Sequence, residues 1–347
     1  MSTAVRRGGL RAILVVVALF GLVSMLGDAS YEGFRSSLPV LIPGTVELGG
    51  VAGVGEVLAW GLRPLTGLVV ERLGAYWGFI LLGYGLIPLG ILVAGLGGPM
   101  LALGYSLERI GKAVRAPARD ALLSSIAGKR RGLVFGVHEF LDQFGAVLGP
   151  FIAMIVVSLG KFWILAIPGA LTIPVIVAAM KLYPRSVVPK PRHVDLAETL
   201  RGTWHSVAYV LVAGTLAASP LAIEHVAKML GVVDEKGAFI IYAIAMLSDA
   251  LIAIPIGLLY DANPRLAVAL PAVVGLAGGI LAVTSPTLPL LAYAAAAASG
   301  VAEAGFETVA RAMVKSGATG YGIYGLARGL AVAGSILLYG SLAAHVW

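Results

Sequence analysis

Cysteine is absent from all 347 residues. Its absence excludes disulfides, thiolate metal sites and cysteine nucleophiles, and says nothing about compartment. Charge is scarce as well: 12% of residues are Asp, Glu, Lys or Arg, where soluble domains carry roughly 25%. With 59% hydrophobic residues, the chain cannot bury its apolar surface and still show a polar exterior, so its outer solvent is lipid. The 46 glycines suit helices that pack closely in a bilayer. Nucleotide and catalytic motifs are missing too. The run from Gly104 to Gly111-Lys112 has the wrong glycine spacing for a phosphate loop, with Ala113 where Ser or Thr is required. This argues against ATP drive. His138-Glu139-Phe140-Leu141-Asp142 lacks the second histidine of a zinc-protease helix. No Ser-His-acid set is apparent, so neither an enzyme nor a cofactor is expected.

The net charge of +7 invites a nucleic-acid reading, but its distribution argues against one. Arg6, Arg7 and Arg11 precede the first apolar run, Lys129, Arg130 and Arg131 share one loop, and Lys181, Arg185, Lys190, Arg192 and Arg201 surround another. The clusters fall in alternate connections, as the positive-inside rule requires of cytoplasmic loops. Opposing connections hold little beyond Lys161 and Lys236. The pattern predicts a multi-pass protein of the cytoplasmic membrane with its N-terminus inside. The first apolar run continues into Asp28 without a small-x-small cleavage site, and so reads as a retained span.

At about 20 apolar residues per crossing, the chain divides into about eleven helical spans. They cover 12–42, 47–70, 76–97, 99–125, 132–158, 161–182, 202–229, 236–260, 264–284, 287–315 and 319–346, numbered 1 to 11 below. Residues 183–200, broken by Pro184, Pro189 and Pro191, read as a cytoplasmic linker. They separate a six-helix bundle (1–182) from one of about five helices (201–347), so a twelfth span is either naturally absent or missing.

Charge inside a membrane is costly and marks function by default. Spans 4 and 5 carry eight such residues: Glu108, Arg109, Lys112, Arg115, Arg119, Asp120, Glu139 and Asp142. Span 1 places Asp28, Tyr31, Glu32 and Arg35 on one helical face. Two carboxylates that close favour a shared proton, and Glu32 is equally placed to pair with Arg35. A charge cluster among spans 1, 4 and 5 is the expected proton-coupling centre, with Glu139 as the titrating partner of Arg109 and with Asp142 beside it. Arg35, Lys112, Asp249, Glu303 and Arg328 are candidates for the substrate cavity. Arg115 and Arg119 are expected to brace a cytoplasmic gate near Glu71, with Glu307 and Arg311 their counterparts in the second half.

The halves echo one another. Gly67 precedes Glu71 by four residues, as Gly257 precedes Asp261; Arg115 and Arg119 match Glu307 and Arg311; Gly136-x-x-Glu139 with Gly145 matches Gly325-x-x-Arg328 with Gly334. Parallel repeats with a site at their interface are a known transporter architecture. On Gly67-x-x-x-Glu71-Arg72-x-Gly74, on Arg109 in span 4 and on Gly145-x-x-x-Gly149-Pro150 in span 5, the chain resembles the major facilitator superfamily. The resemblance implies an all-α integral membrane protein of two helical bundles that works by alternating access. It implies a gating loop at Gly67–Gly74, proton coupling at Arg109 and an antiporter's helix-kink motif at Gly145, Gly149 and Pro150.

The chain is thus expected to be a proton-coupled antiporter exporting a small organic molecule. A symporter or uniporter for an anionic metabolite, or a non-transporting lipid scramblase or receptor on the same scaffold, are the alternatives. Its expected partners are the lipid bilayer, a small-molecule substrate and protons.

Overall fold

Each expected span is helical in the computed structural model, which describes residues 3–42 and 44–347. The side chains of residues 3–12, Thr45, Glu235, Lys236 and Phe239, including the basic cluster Arg6, Arg7 and Arg11, lie outside the described residues. No strand occurs among the described residues. Uninterrupted helices form spans 1 (Thr3–Leu41), 3 (Tyr76–Ala94), 4 (Pro99–Ala127), 5 (Arg131–Ser158), 8 (Glu235–Ala262), 9 (Pro264–Thr284) and 11 (Ala318–Val346). Span 6 opens with a 3₁₀ turn, Phe162–Leu165, and continues as Ala166–Leu182.

Three spans are broken, each for a local reason. Span 2 consists of Thr45–Gly61 and Arg63–Leu73, because Pro64 lacks the N–H that would continue the helix across Leu62. Span 7 consists of Leu196–Leu216 and Pro220–Met229. Pro220 opens the second piece, and Ser219 caps it by accepting from the Ala222 N–H at 3.2 Å. The first piece starts inside the expected linker, where Asp195 accepts from the N–H groups of Ala197 (2.8 Å) and Glu198 (3.2 Å). Span 10 runs Leu290–Ala304, then a π-helical turn Gly305–Val309, then Ala310–Met313. Among the described residues, eight helical stretches are long and apolar enough to cross a membrane. Spans 2, 4 and 10 are not among them; span 4 is the most highly charged of the three.

The helices gather into two compact units. The first holds Met1–Gly128, Phe144–Thr199 and Ser316–Gly322; the second holds Lys129–Gln143, Leu200–Lys315 and Ile323–Trp347. The opening of span 5 therefore belongs with the later helices, and the opening of span 11 with the earlier ones.

Glycine sets the helix spacing within the first unit. A Cβ on Gly83 would meet the Gly111 carbonyl at 2.6 Å, and one on Gly90 would meet the Gly104 carbonyl at 2.5 Å. Spans 3 and 4 thus pack antiparallel, backbone against backbone, at two places seven residues apart. Span 3 buries Ile80, Tyr84, Ile87 and Ile91, while Leu82, Leu89 and Leu92 face outward. Replacing Gly104 by valine is expected to force these helices apart and to cost about 1–3 kcal/mol. The check is the unfolding temperature of purified protein beside that of Gly78→Val, a position with open space around it.

Candidate functional site

Buried charge is concentrated at two places, one in each unit. In the first unit, Tyr31 of span 1 lies beneath two cations of span 4. The Arg109 guanidinium is 3.5 Å from the ring centroid and the Lys112 ammonium 4.4 Å, a geometry in which the ring quadrupole attracts both. Arg109, 1% exposed, pairs with Glu108 and lies 3.5 Å from Glu56 of span 2. Glu56 also accepts from Trp60 Nε1 at 2.9 Å. Glu108 lies 3.5 Å from Arg115, Glu32 pairs with Arg35 at 3.6 Å, and Asp28 and Glu32 lie within electrostatic reach of Lys112. Arg109, for which Glu139 was the expected partner, therefore engages acids of spans 2 and 4 instead.

In the second unit the buried ion pairs form a continuous chain. Glu139 accepts from Gln143 at 2.8 Å and from Arg311 at 3.0 Å. Arg311 also pairs with Glu307; Glu307 lies 3.3 Å from Arg328, which pairs with Glu303. The acids exceed the cations in this chain: Glu139, Glu307 and Glu303 share Arg311 and Arg328. Asp249, fully buried in span 8, lies within electrostatic reach of Glu139, Glu303, Glu307 and Asp142. The expected cluster of spans 1, 4 and 5 is therefore redistributed. Spans 1, 2 and 4 supply one centre, and the opening of span 5 joins spans 8, 10 and 11 in the other.

Each unit also contains an acid seated at the start of a helix. Glu71, 1% exposed, accepts from the Thr319 N–H at 2.9 Å and its Oγ1 at 2.7 Å. Asp261 accepts from the N–H groups of Gly132 (2.8 Å) and Leu133 (2.9 Å). The first N–H groups of a helix have no intrahelical acceptor, and that end of the helix carries partial positive charge; a carboxylate satisfies both. Glycine permits the approach in each case, since any Cβ on Gly67 would strike the Ala318 carbonyl and any on Gly132 the Gly257 carbonyl. Glu71 has one more partner, Arg192, which bonds it through Nε at 2.6 Å and Nη2 at 2.5 Å. Arg192 reaches it because Pro191 rests on Gly74, which ends span 2 at φ +66.

The expected bracing of Glu71 by Arg115 and Arg119 is thus replaced by Arg192 and Thr319. Arg115 turns to Glu108 and the Tyr84 ring, and Arg119 bonds Asp120 at 2.9 Å and Ser24 at 3.3 Å. Arg72 is exposed. Gly145 and Gly149 pack against the backbone of span 1 at Met25 and Gly33, and Pro150 lies within an unbroken helix. Glu56, Thr319 and Gly132 are not among the expected site residues, and Arg192 is read in the sequence only as part of the basic cluster around the linker.

A model of the Major Facilitator Superfamily matches residues 20–336. An uncharacterized protein of Mycobacterium tuberculosis is 32% identical over 94% of this chain and 86% of its own length. An uncharacterized transporter of the same superfamily type from Methanocaldococcus jannaschii is 28% identical over 71% of this chain and 66% of its own. Among solved structures, the Escherichia coli fucose:proton symporter superposes with a TM-score of 0.73 at 11% identity, covering 96% of this chain and 93% of that one. A bacterial homologue of the iron transporter ferroportin in an outward-facing state gives 0.70 at 13% identity, covering 94% and 91%. At such identities the likeness is one of fold.

Proposed function

Because the chain belongs to the Major Facilitator Superfamily, a family of alternating-access secondary transporters rather than enzymes, we propose that it is a proton-coupled antiporter exporting a small organic molecule. It is a multi-pass protein of the lipid bilayer that moves a small-molecule substrate. We place it in the cytoplasmic membrane with its N-terminus inside, which puts Glu71 and Asp261 at the cytoplasmic ends of their spans. We take residues 1–182 and 201–347 as the two bundles and 183–200 as the link between them.

The observation that supports proton coupling is the second unit's ion-pair chain, in which Glu139, Glu307 and Glu303 share two arginines. A buried carboxylate that loses its cation is destabilised by several kcal/mol, so any rearrangement of Arg311 or Arg328 obliges one acid to take up a proton. Protonation then biases which arrangement the chain adopts, and a substrate that displaces the proton biases it the other way. Glu71 and Asp261, each bonded to the first N–H groups of a helix, are the acids we assign to the cytoplasmic gate.

The test is vesicles reconstituted with the purified protein and a trapped pH dye, challenged with gradients of organic cations, anions and sugars. Protons moving against the gradient of one compound class are expected. Protons moving with it would establish symport, and silence across the panel would contradict the coupling.

One observation favours a second reading. Lys112 faces the Tyr31 ring beside Arg109, and a carboxylate or phosphate substrate would suit that pair of cations. An anion uniporter would show saturable anion uptake without proton movement, lost in Lys112→Ala.

A further inference from the structure

Among the described acids of the second unit, Asp249 stands apart. It is 0% exposed, and neither carboxyl oxygen has a hydrogen-bond partner. Its surroundings are set by close helix packing. Gly132 and Gly136 of span 5 press on the backbone of span 8 at Gly257 and Ala253, and Gly300 of span 10 presses on Ala245 and Ser248. One turn further along, these contacts bring Asp249 level with Glu139 on one side and Glu303 on the other.

The charged groups around it come from three helices. Span 5 contributes Glu139 and Asp142, with His138 buried next to Glu139. Span 10 contributes Glu303 and Glu307 with Arg311, and span 11 contributes Arg328. Both arginines are already engaged by Glu139, Glu303 and Glu307. An ionised Asp249 would add uncompensated negative charge to a buried site that already has more acids than cations, and such burial costs far more than a protein tolerates. Among the described residues no group of three or more His, Asp or Glu is arranged to hold a metal ion. A proton is the one occupant that neutralises the carboxyl without needing space or further ligands.

We propose that Asp249 holds a proton in this conformation and is the second unit's exchangeable proton site, distinct from the ion-paired Glu139. The step is a simple dissociation: the Asp249 O–H bond breaks when Arg311 or Arg328 leaves its present acid and comes within reach. The proton passes to water, and the carboxylate inherits the cation. The acid that lost the arginine takes up a proton in turn, so the site's net charge is conserved. Two neighbouring features mark this segment as a place for such a rearrangement. The π-helical turn Gly305–Val309 places Glu307 in a segment held by i→i+5 bonding, with the Ala310 N–H on the Gly305 carbonyl, and such turns recur at functional sites. The adjoining Thr308 hydroxyl is fully buried and also has no partner.

This inference rests on the proton-coupled reading for its role in transport, but Asp249's proton is measurable without a substrate. Infrared spectra of the full-length protein in lipid near neutral pH are expected to show the carbonyl band of a buried, protonated carboxylic acid that shifts in deuterated water. The band should be lost in Asp249→Asn and kept in Glu139→Gln. Asparagine is the shape of the neutral acid, so Asp249→Asn is expected to fold with an unfolding temperature no lower than wild type. A band that survives in Asp249→Asn, or none in the wild type, overturns the proposal. So does an unfolding temperature that rises with sodium but not with choline in the wild type and not in Asp249→Asn, which would make the occupant sodium. If the band behaves as expected but Asp249→Asn moves protons like the wild type in the dye-loaded vesicles, Asp249 is no exchange site, and the coupling reading survives its loss.

Discussion

Arg328→Ala is expected to be among the most damaging single substitutions in this protein, with a loss of about 3–5 kcal/mol of stability. The guanidinium is 1% exposed and serves Glu303 and Glu307 together. Alanine would leave two buried carboxylates with Arg311 as their remaining cation, and Arg311 is already shared with Glu139. Lysine should rescue only in part, because a point-like ammonium cannot span two acids as a planar fork does. Pairing Arg328→Met with Glu303→Gln should recover much of the loss, since it removes charges of both signs. Unfolding temperatures of the four purified proteins decide the matter. Equal values for wild type and Arg328→Ala would show that the pairs contribute nothing, as many exposed ion pairs do.

Gly67→Leu is expected to turn a protected position into a reactive one. A side chain there meets the carbonyl of Ala318, which is backbone and cannot step aside. The Thr319 N–H and hydroxyl are then carried away from Glu71, which keeps only Arg192. The lack of cysteine offers a clean background for the measurement. Ala318, fully buried, is replaced by cysteine and exposed to a water-soluble maleimide. Labelling should be slow in the parent and rapid when Gly67→Leu is added. Equal protection in both would mean that the glycine approach does not hold this seam closed.

The placement of the spans was legible because each crossing demands a fixed length of apolar chain. The acids at the span ends, Glu71 and Asp261, were legible because they repeat in register. Their partners were not. A backbone N–H leaves no mark in a sequence, so Gly132 and Thr319 could be found only from the fold. Arg192 sits in a proline-rich segment whose path onto Gly74 depends on tertiary contact. The partner of Arg109 was misjudged for a different reason. Leu82, facing outward, and Ile80, buried, are equally apolar, so in a lipid-embedded protein hydrophobic periodicity does not say which face of a helix meets which neighbour. The division of span 5 between the two units, which sends Glu139 to Arg311, was hidden by the same ambiguity. The π turn of span 10 has no periodic signature at five residues.

Glu139→Gln bears most directly on proton coupling through the second unit's ion-pair chain. Glutamine keeps the side chain's shape and a hydrogen bond to Gln143 but cannot carry the negative charge that holds Arg311. In dye-loaded vesicles given the compound panel, wild-type protein should move protons in response to one compound class. Glu139→Gln should not, while the same compounds still raise its unfolding temperature. Proton movement in Glu139→Gln equal to that of the wild type would contradict it.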